Sequence, residues 1–368
     1  VVKVDIRKDS SRVRRVNPAG PTKFIAVDEA PPTPLKRRRR RQGLAMLHLY
    51  TAGEKRTTVD DDLATGTLPA GVVWLDLFDP SKEEEAFVER VVGVAVPTRD
   101  EMVEIEPSSR LYRDGEATVV IASLLAGTDS DAPITTPVSF VLTATHLVTI
   151  RYAVPTVFKV FAAHVERSPV LCSDATATLI HLLDAIIDRM ADTLEHIGTE
   201  MDNISKSTFR RGSSNQQRMT NAALQVLLVR IGHAHEIVSK SRVSAVSIAR
   251  LLSFLGSTLD TAGTKEHLDG LARDVSSLTD HASYLGGNIT FLLDAALGLI
   301  NIEQNAIIKI FSVAAVIFMP PTLVASIYGM NFKAMPELNF HYGYPMALGV
   351  MICSAVLPYQ FFKSRGWL

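Results

Sequence analysis

Apolar and polar positions along the chain fall into three regimes. Between residues 44 and 162 the apolar runs are short and broken by turn residues. "GVVWLDLFDP" (Gly71–Pro80) reads as a buried strand ending in a turn, and Ser81 after it stands as the N-cap of a helix with an acidic first turn. "ATVVIASLLA" (Ala117–Ala126) is a continuous apolar run of strand length, and "VSFVLTATHLVTIRY" predicts a hairpin turning near Thr143–His146. Together they predict a small α/β domain with a mostly β core.

Residues 163–262 change to long helices. Leu183, Ile187, Met190, Leu194, Ile197, Met201 and Ile204 are spaced 4, 3, 4, 3, 4 and 3 apart, a heptad seam. After a turn at Ser207–Arg218, a matching seam runs through Leu224, Ile231, Ala234, Val238, Ala245, Ile248 and Leu252. The pair predicts an antiparallel helical hairpin, which "GSTLDTAG" (Gly256–Gly263) ends.

The third regime is longer and more apolar. From about His267 a helical pattern runs without proline to Pro320, so a stalk helix over 263–305 leads straight into the apolar segment 306–328. From His267 to Tyr328 that helix is about 62 residues and about 93 Å long at 1.5 Å per residue. Segment 306–328 carries one charge, Lys309, and segment 344–362 carries none. About 20 apolar residues cross a hydrocarbon core of ~30 Å, so both are predicted transmembrane helices, with an outer loop over 329–343. Pro320, Pro321 and Pro358 are tolerable there, because neighbours or water can satisfy the freed carbonyls.

Composition sharpens this picture at the ends. The 368 residues are 47% hydrophobic and 21% charged, with a formal net charge of −1. Residues 1–41 hold thirteen Lys and Arg against four Asp and Glu, so a basic, disordered tail over 1–43 carries +9 and the remainder about −10. Its run Arg37–Arg41 reads as a solvated stretch or as a contact for anionic lipid or nucleic acid, and no function is built on it. The N-terminus lacks the apolar core of a cleavable signal. Cys172 and Cys353 have no metal-ligand spacing, which argues against a disulfide framework and fits a reducing compartment. Lys363 and Arg365, in a basic C-terminus over 363–368, follow the last span, while Lys333 and Glu337 balance each other in the loop. Positive-inside reasoning puts both termini in the cytoplasm.

Enzyme chemistry finds no footing. There is no GxGxxG after a strand, no Walker A lysine in "TAGEKRTT" and no HExxH. His233 and His235 fall on different faces of a helix and read as solvent-facing or packed. The first span instead carries a polar stripe. Asn305, Ser312, Met319, Thr322 and Ser326, spaced 7, 7, 3 and 4, share one face. Such a stripe either lines a water-filled path or lets helices pack closely. Two spans cannot enclose a path, so the first reading needs several copies in a ring, with Phe311 as an apolar constriction. Beyond the span, Gly329 ends the helix, leaving last-turn carbonyls free, and can take a positive φ. Asn331 then offers an amide carbonyl at the rim. A ring of such uncharged oxygens can hold the hydration shell of Mg²⁺, a small ion that sheds water reluctantly, without trapping it.

Tyr328-Gly329-Met330-Asn331 resembles the YGMN signature of the CorA family of magnesium transporters. "MPEL" (Met335–Leu338) and "GYP" (Gly343–Pro345) resemble the family's outer loop and second-span entry. The stretches "INIEQNAIIKIFSVAAVIFMPPTLVAS" and "FFKSRGWL" are also close to bacterial members. The similarity is strong over 296–368 and visible in "WLDLFDPSKEEE" and "TRDEMVEIEPSSRLYRD". The resemblance implies a funnel-shaped homopentamer in a bacterial inner membrane, with stalk helices as inner wall. It implies a channel-like Mg²⁺ importer, driven by membrane potential, that also passes Co²⁺ and Ni²⁺. Its partners would be lipid bilayer and divalent cations, with no nucleic acid and no organic cofactor. Gly329, Met330 and Asn331 match the selectivity filter, and Asn305, Phe311, Met319, Thr322 and Asn331 the pore-facing positions. Glu337 matches a loop acid that concentrates cations. Glu104 and Asp274 align with carboxylates through which regulatory Mg²⁺ holds the ring closed; read from the residues alone they are ordinary exposed acids. The hairpin tip departs from the family, being basic (Lys206, Arg210, Arg211, Arg218) where members often carry acids. Two rival readings remain, a Zn²⁺ transporter of the related proton-coupled branch and a membrane-tethered sensor or scaffold without transport.

Overall fold

The computed structural model describes residues 47–51, 57–58, 66–104, 106–128, 130, 132, 133–209, 221–259, 262–331, 335 and 341–367. The tail with Arg37–Arg41, the hairpin-tip arginines and Glu337 of the outer loop lie outside the described residues.

Strands β1 (Leu47–Thr51), β2 (Thr57–Thr58), β3 (Val72–Phe78), β4 (Leu111–Asp114), β5 (Ala117–Ala126), β6 (Ile134–Leu142) and β7 (Leu147–Arg151) form one sheet in the order β2-β1-β3-β7-β6-β5-β4. Only β3 and β7 pair in parallel, Trp74 opposite Leu147, and the other neighbours are antiparallel. The β6–β7 turn falls where the sequence puts it: the Thr143 amide donates to the His146 carbonyl at 2.9 Å, and the His146 amide to Thr143 Oγ1 at 3.0 Å.

Both faces of the sheet are covered, which is why β5 reads as continuously apolar rather than alternating. Val119 and Ile121 face one core with Phe87, Val88 and Met102 of helices α1 (Lys82–Val92) and α2 (Arg99–Val103). Val120, Ala122 and Leu124 face the other, with Phe158 and Phe161 of α4 (Thr156–Arg167), a helix that follows the short α3 (Pro107–Arg110). Ser81 and Glu84 close a capping box on α1, the Glu84 amide donating to Ser81 Oγ at 3.2 Å and the Ser81 amide to Glu84 Oε2 at 2.7 Å. Gly93 ends α1 at φ +78°, the left-handed cap that glycine adopts without strain.

The central parallel pair carries a buried polar chain. Trp74 Nε1 donates to Thr149 Oγ1 at 3.0 Å, and Thr149 Oγ1 to Asp76 Oδ1 at 2.8 Å. Arg151 completes it through Nε to Oδ1 at 3.1 Å and Nη2 to Oδ2 at 2.8 Å. The Arg151 guanidinium also lies over the rings of Phe78 and Phe158, 4.8 and 4.9 Å from their centroids. The pair is nearly dry, so its attraction is strong and so is the penalty for breaking it.

Helices α5 (Ala175–Phe209), α6 (Asn221–Thr258) and α7 (Ala262–Tyr328) follow. Both heptad seams are buried, from Leu183 to Ile204 on α5 and from Leu224 to Leu252 on α6. Each packs on α7, α6 over the longer stretch, so the two seams close around a third helix. α7 contributes Leu268, Leu271, Val275, Ala282, Leu285, Ile289, Leu292 and Ala296 to the core shared with the sheet. Its 67 residues span about 100 Å, and α8 (Gly343–Ser364) packs on its far end.

Candidate functional site

Burial along α7 changes abruptly near residue 300. From Asn301 to Tyr328 only Val313 is buried, although this stretch is the most apolar part of the helix. α7 and α8 both contain windows long and apolar enough to cross a bilayer, with mean hydropathy 2.1 and 1.5. These windows are almost wholly exposed in the single chain, so a buried soluble core does not account for them. The chain is built for membrane.

The two helices meet along defined faces. On α8 the less exposed positions include Gly343, Ala347, Met351, Ser354, Pro358 and Phe362, and on α7 they include Ala306, Lys309, Val313, Ile317, Pro320 and Val324, with Glu303, Ala314, Pro321 and Tyr328 on the row beside these. Both sets step by three or four, one face of a helix. Asn305, Ser312, Met319, Thr322 and Ser326 are all exposed and centre about 130° round α7 from the row Ala306 to Val324, at 100° per residue. The polar stripe therefore turns away from α8. Amide and hydroxyl groups gain nothing from hydrocarbon, so this face calls for water or another chain. Phe311, 72% exposed, lies beside it. Thr322 Oγ1 donates to the Phe318 carbonyl at 2.7 Å. Pro320 and Pro321 have no N–H to give the carbonyls of Val316 and Ile317.

At the C-terminal end of α7 the chain leaves the helix as a tight turn. The Gly329 amide donates to the Ala325 carbonyl at 3.0 Å and the Met330 amide to the Ile327 carbonyl at 3.2 Å, so two of the last-turn carbonyls are bonded. Gly329 is not among the positive-φ glycines, which corrects the left-handed conformation that its sequence position allowed. Space there is tight: a Cβ would stand 3.2 Å from the Ala325 carbonyl oxygen. Met330 and Asn331 are exposed immediately beyond.

At the opposite end of the span the C-terminus folds back on α7. The Trp367 amide donates to the Phe362 carbonyl at 3.0 Å, and the two rings stack with centroids 5.5 Å apart. Gly366 turns the chain at φ +68°. Lys309 Nζ lies 5.5 Å from the Trp367 ring centroid and 3.5 Å from the Gly366 carbonyl, on the α8 side and away from the stripe. Sequence reasoning missed this clamp, because Trp367 and Lys309 are 58 residues apart and no local pattern pairs the two stretches that hold them.

The two acids singled out for regulation occupy separate surroundings. Glu104 caps α2, exposed, and its carbonyl accepts from Arg110 Nε. Asp274 is exposed on α7 near Asp184, Asp188 and Asp192, which repeat every four residues on α5. Burial, then Asp184, Asp192 and Asp274, push the Asp188 carboxyl above the usual carboxylate range. Those three aspartates also escaped the sequence reading, although their 4, 4 spacing was there to find. Among the described residues no group of three or more His, Cys, Asp or Glu is placed to hold a metal ion.

Residues 69–364 match the model of a family described as "CorA-like Mg2+ transporter protein". A protein of Pasteurella multocida (strain Pm70) named "Magnesium transport protein CorA" is 34% identical over 324 residues, covering 88% of this chain and all of that one. The protein of the same name from Escherichia coli (strain K12) is 33% identical over 297 residues, covering 80% and 92%. Among solved structures, the complete CorA magnesium transporter from Methanocaldococcus jannaschii superposes with a TM-score of 0.69 at 18% identity, over 88% of this chain and 99% of that one. The full-length CmaX protein does so at 0.60 and 14%, over 88% and 99%.

Proposed function

From the premise that this chain belongs to the CorA-like family of Mg²⁺ transporters and is a membrane magnesium transporter, we propose that it is a channel-like importer. One face of its first span lines the ion path. The observation that carries this reading is the exposed stripe from Asn305 to Ser326, turned away from α8 and leading to Gly329, Met330 and Asn331. A face of this kind is satisfied when several copies surround a common axis, and five is the number the family resemblance implies. The long α7 helices then form the inner wall of a cytoplasmic funnel in a bacterial inner membrane, with both termini inside.

In that ring Asn331 presents a collar of amide oxygens. Mg²⁺ keeps its inner waters reluctantly exchanged, so neutral acceptors holding the hydrated ion select it while letting it leave. Glu337 in the outer loop raises local cation concentration. Phe311 narrows the path by an apolar ring, and Met319, Thr322 and Ser312 line it. The driving force is the inside-negative potential, about 2.3 kcal/mol per charge per 100 mV and twice that for a divalent ion. Co²⁺ and Ni²⁺ pass by the same route. Cytoplasmic Mg²⁺ bridging Glu104 and Asp274 of adjacent copies holds the ring closed, and its loss lets like charges push the copies apart.

Proteoliposomes holding the full chain test this. Mg²⁺ entry should follow an imposed inside-negative potential and fall at least tenfold in Asn331→Ala. Zn²⁺ flux that tracks a proton gradient, with Mg²⁺ silent, would instead assign the chain to the proton-coupled zinc branch. Absence of any flux would leave the sensor or scaffold.

A further inference from the structure

A second site stands apart from the ion path, at the edge of the sheet. On α6, Arg242, Val243, Val246, Ser247 and Arg250 share one stripe, which faces Arg110 of α3 and Ile121 and Ser123 of β5. Between them lies an open cleft of about 490 Å³. That volume falls in the range of about 300–1,000 Å³ occupied by small-molecule sites.

The walls are fixed. The Ser123 amide donates to Ser247 Oγ at 2.9 Å, tying strand to helix. Arg110 is half-buried, with Nη1 donating to Ser123 Oγ at 3.0 Å and Nε to the Glu104 carbonyl. A guanidinium has five N–H donors in a planar fork, so Arg110 keeps donors to spare while held in place. Burial and the facing Arg250 guanidinium both push the Arg110 pKa down, which means two cations confront each other across the cleft. Among the described lining residues there is no carboxylate, and none of Arg110, Arg242 and Arg250 has a described acidic partner. Three convergent guanidinium groups without an anion make a site for one carrying at least two charges. Val243, 53% exposed, and Val246, 38% exposed, add an apolar surface to the lining.

We propose that this cleft binds a nucleotide, its polyphosphate between Arg110, Arg242 and Arg250 and its base against Val243 and Val246. Mg²⁺ chelated by the polyphosphate cancels two of its charges, so the site selects the metal-free form. Binding is read without any flux, so it stands or falls independently of the transport reading.

Equilibrium dialysis of the purified full chain in detergent, with ADP as probe in EDTA, tests it. Arg110→Ala risks disturbing the fold, so the variants are Arg242→Ala and Arg250→Ala, both exposed on α6. Saturable ADP binding is expected, displaced by pyrophosphate, weakened severalfold by excess Mg²⁺ and weakened at least tenfold in either variant. Absence of saturable binding, or binding that the variants or Mg²⁺ leave unchanged, would overturn the proposal. So would variants that break the association of chain copies while the parent binds no ADP, which would give the arginines to carboxylates of a second copy.

Discussion

Gly329 and Asn331 stand two residues apart and do different work. A Cβ at Gly329 would stand 3.2 Å from the Ala325 carbonyl oxygen, while the proposed role of Asn331 rests on an oxygen that carries no charge. Asp76 shows the opposite economy, a full charge kept in a dry core by three hydrogen bonds. Asp76→Ala leaves the Arg151 guanidinium buried without its partner, and a loss of about 3–5 kcal/mol is expected, read as a fall in melting temperature of the detergent-purified chain. Asp188 gives a pH-dependent case. Its carboxyl is pushed up by burial and then by neighbouring aspartates, so its contribution to stability is full below the ordinary value of 3.8 and is lost as pH rises through the raised value. Asp188→Asn should therefore raise the melting temperature at pH 7, with the gain shrinking as pH is lowered toward 3.8. A gain of equal size at both ends of that range would mean that charge is not the cause.

At the scale of elements, helices and strands were legible where burial imposes a simple period. The α5 and α6 seams step by three and four because each buries one face, and every seam residue proved buried. The N-cap at Ser81 and the turn at Thr143–His146 were legible because their chemistry is local. The partners of those faces were not. Leu224 to Leu252 suit α5 and α7 equally well as a pattern, and only the tertiary structure shows that α6 packs more on α7 than on α5. The arginine cleft was hidden for the same reason: Arg242 and Arg250 read as a solvated helix face until β5 brings Ser123 and Arg110 against them. Lys309 belongs to this scale too. The Trp367 ring and Gly366 carbonyl hold its ammonium on the α8 side, an interaction worth about 0.5–1 kcal/mol where exposed. Trp367→Ala frees that charge to swing toward the path. Mg²⁺ uptake should fall severalfold and recover in the double variant Trp367→Ala with Lys309→Met; no recovery would show that Trp367 acts through packing on Phe362 alone.

For the whole molecule, one helix of about 100 Å ties a soluble body to a membrane pair. Its first half is buried on one side by α5 and α6, and its second half offers a contact face to α8 and a polar face that none of the described residues covers. On the proposed reading, a continuous helix of this kind would carry a tilt at the sheet domain to the membrane-spanning end without a loop between them. The central claim is that the polar face lines the route of the ion. Cysteine scanning tests it most directly, in a parent with Cys172 and Cys353 replaced by serine. Single cysteines at Asn305, Ser312, Met319 and Ser326, and at Ala306, Ile317 and Val324 on the α8 face, would be treated with a small cationic thiol reagent during Mg²⁺ uptake into proteoliposomes. Block of uptake at the first four and not at the last three is the predicted result. Equal block on both faces, or block confined to the α8 face, would contradict it.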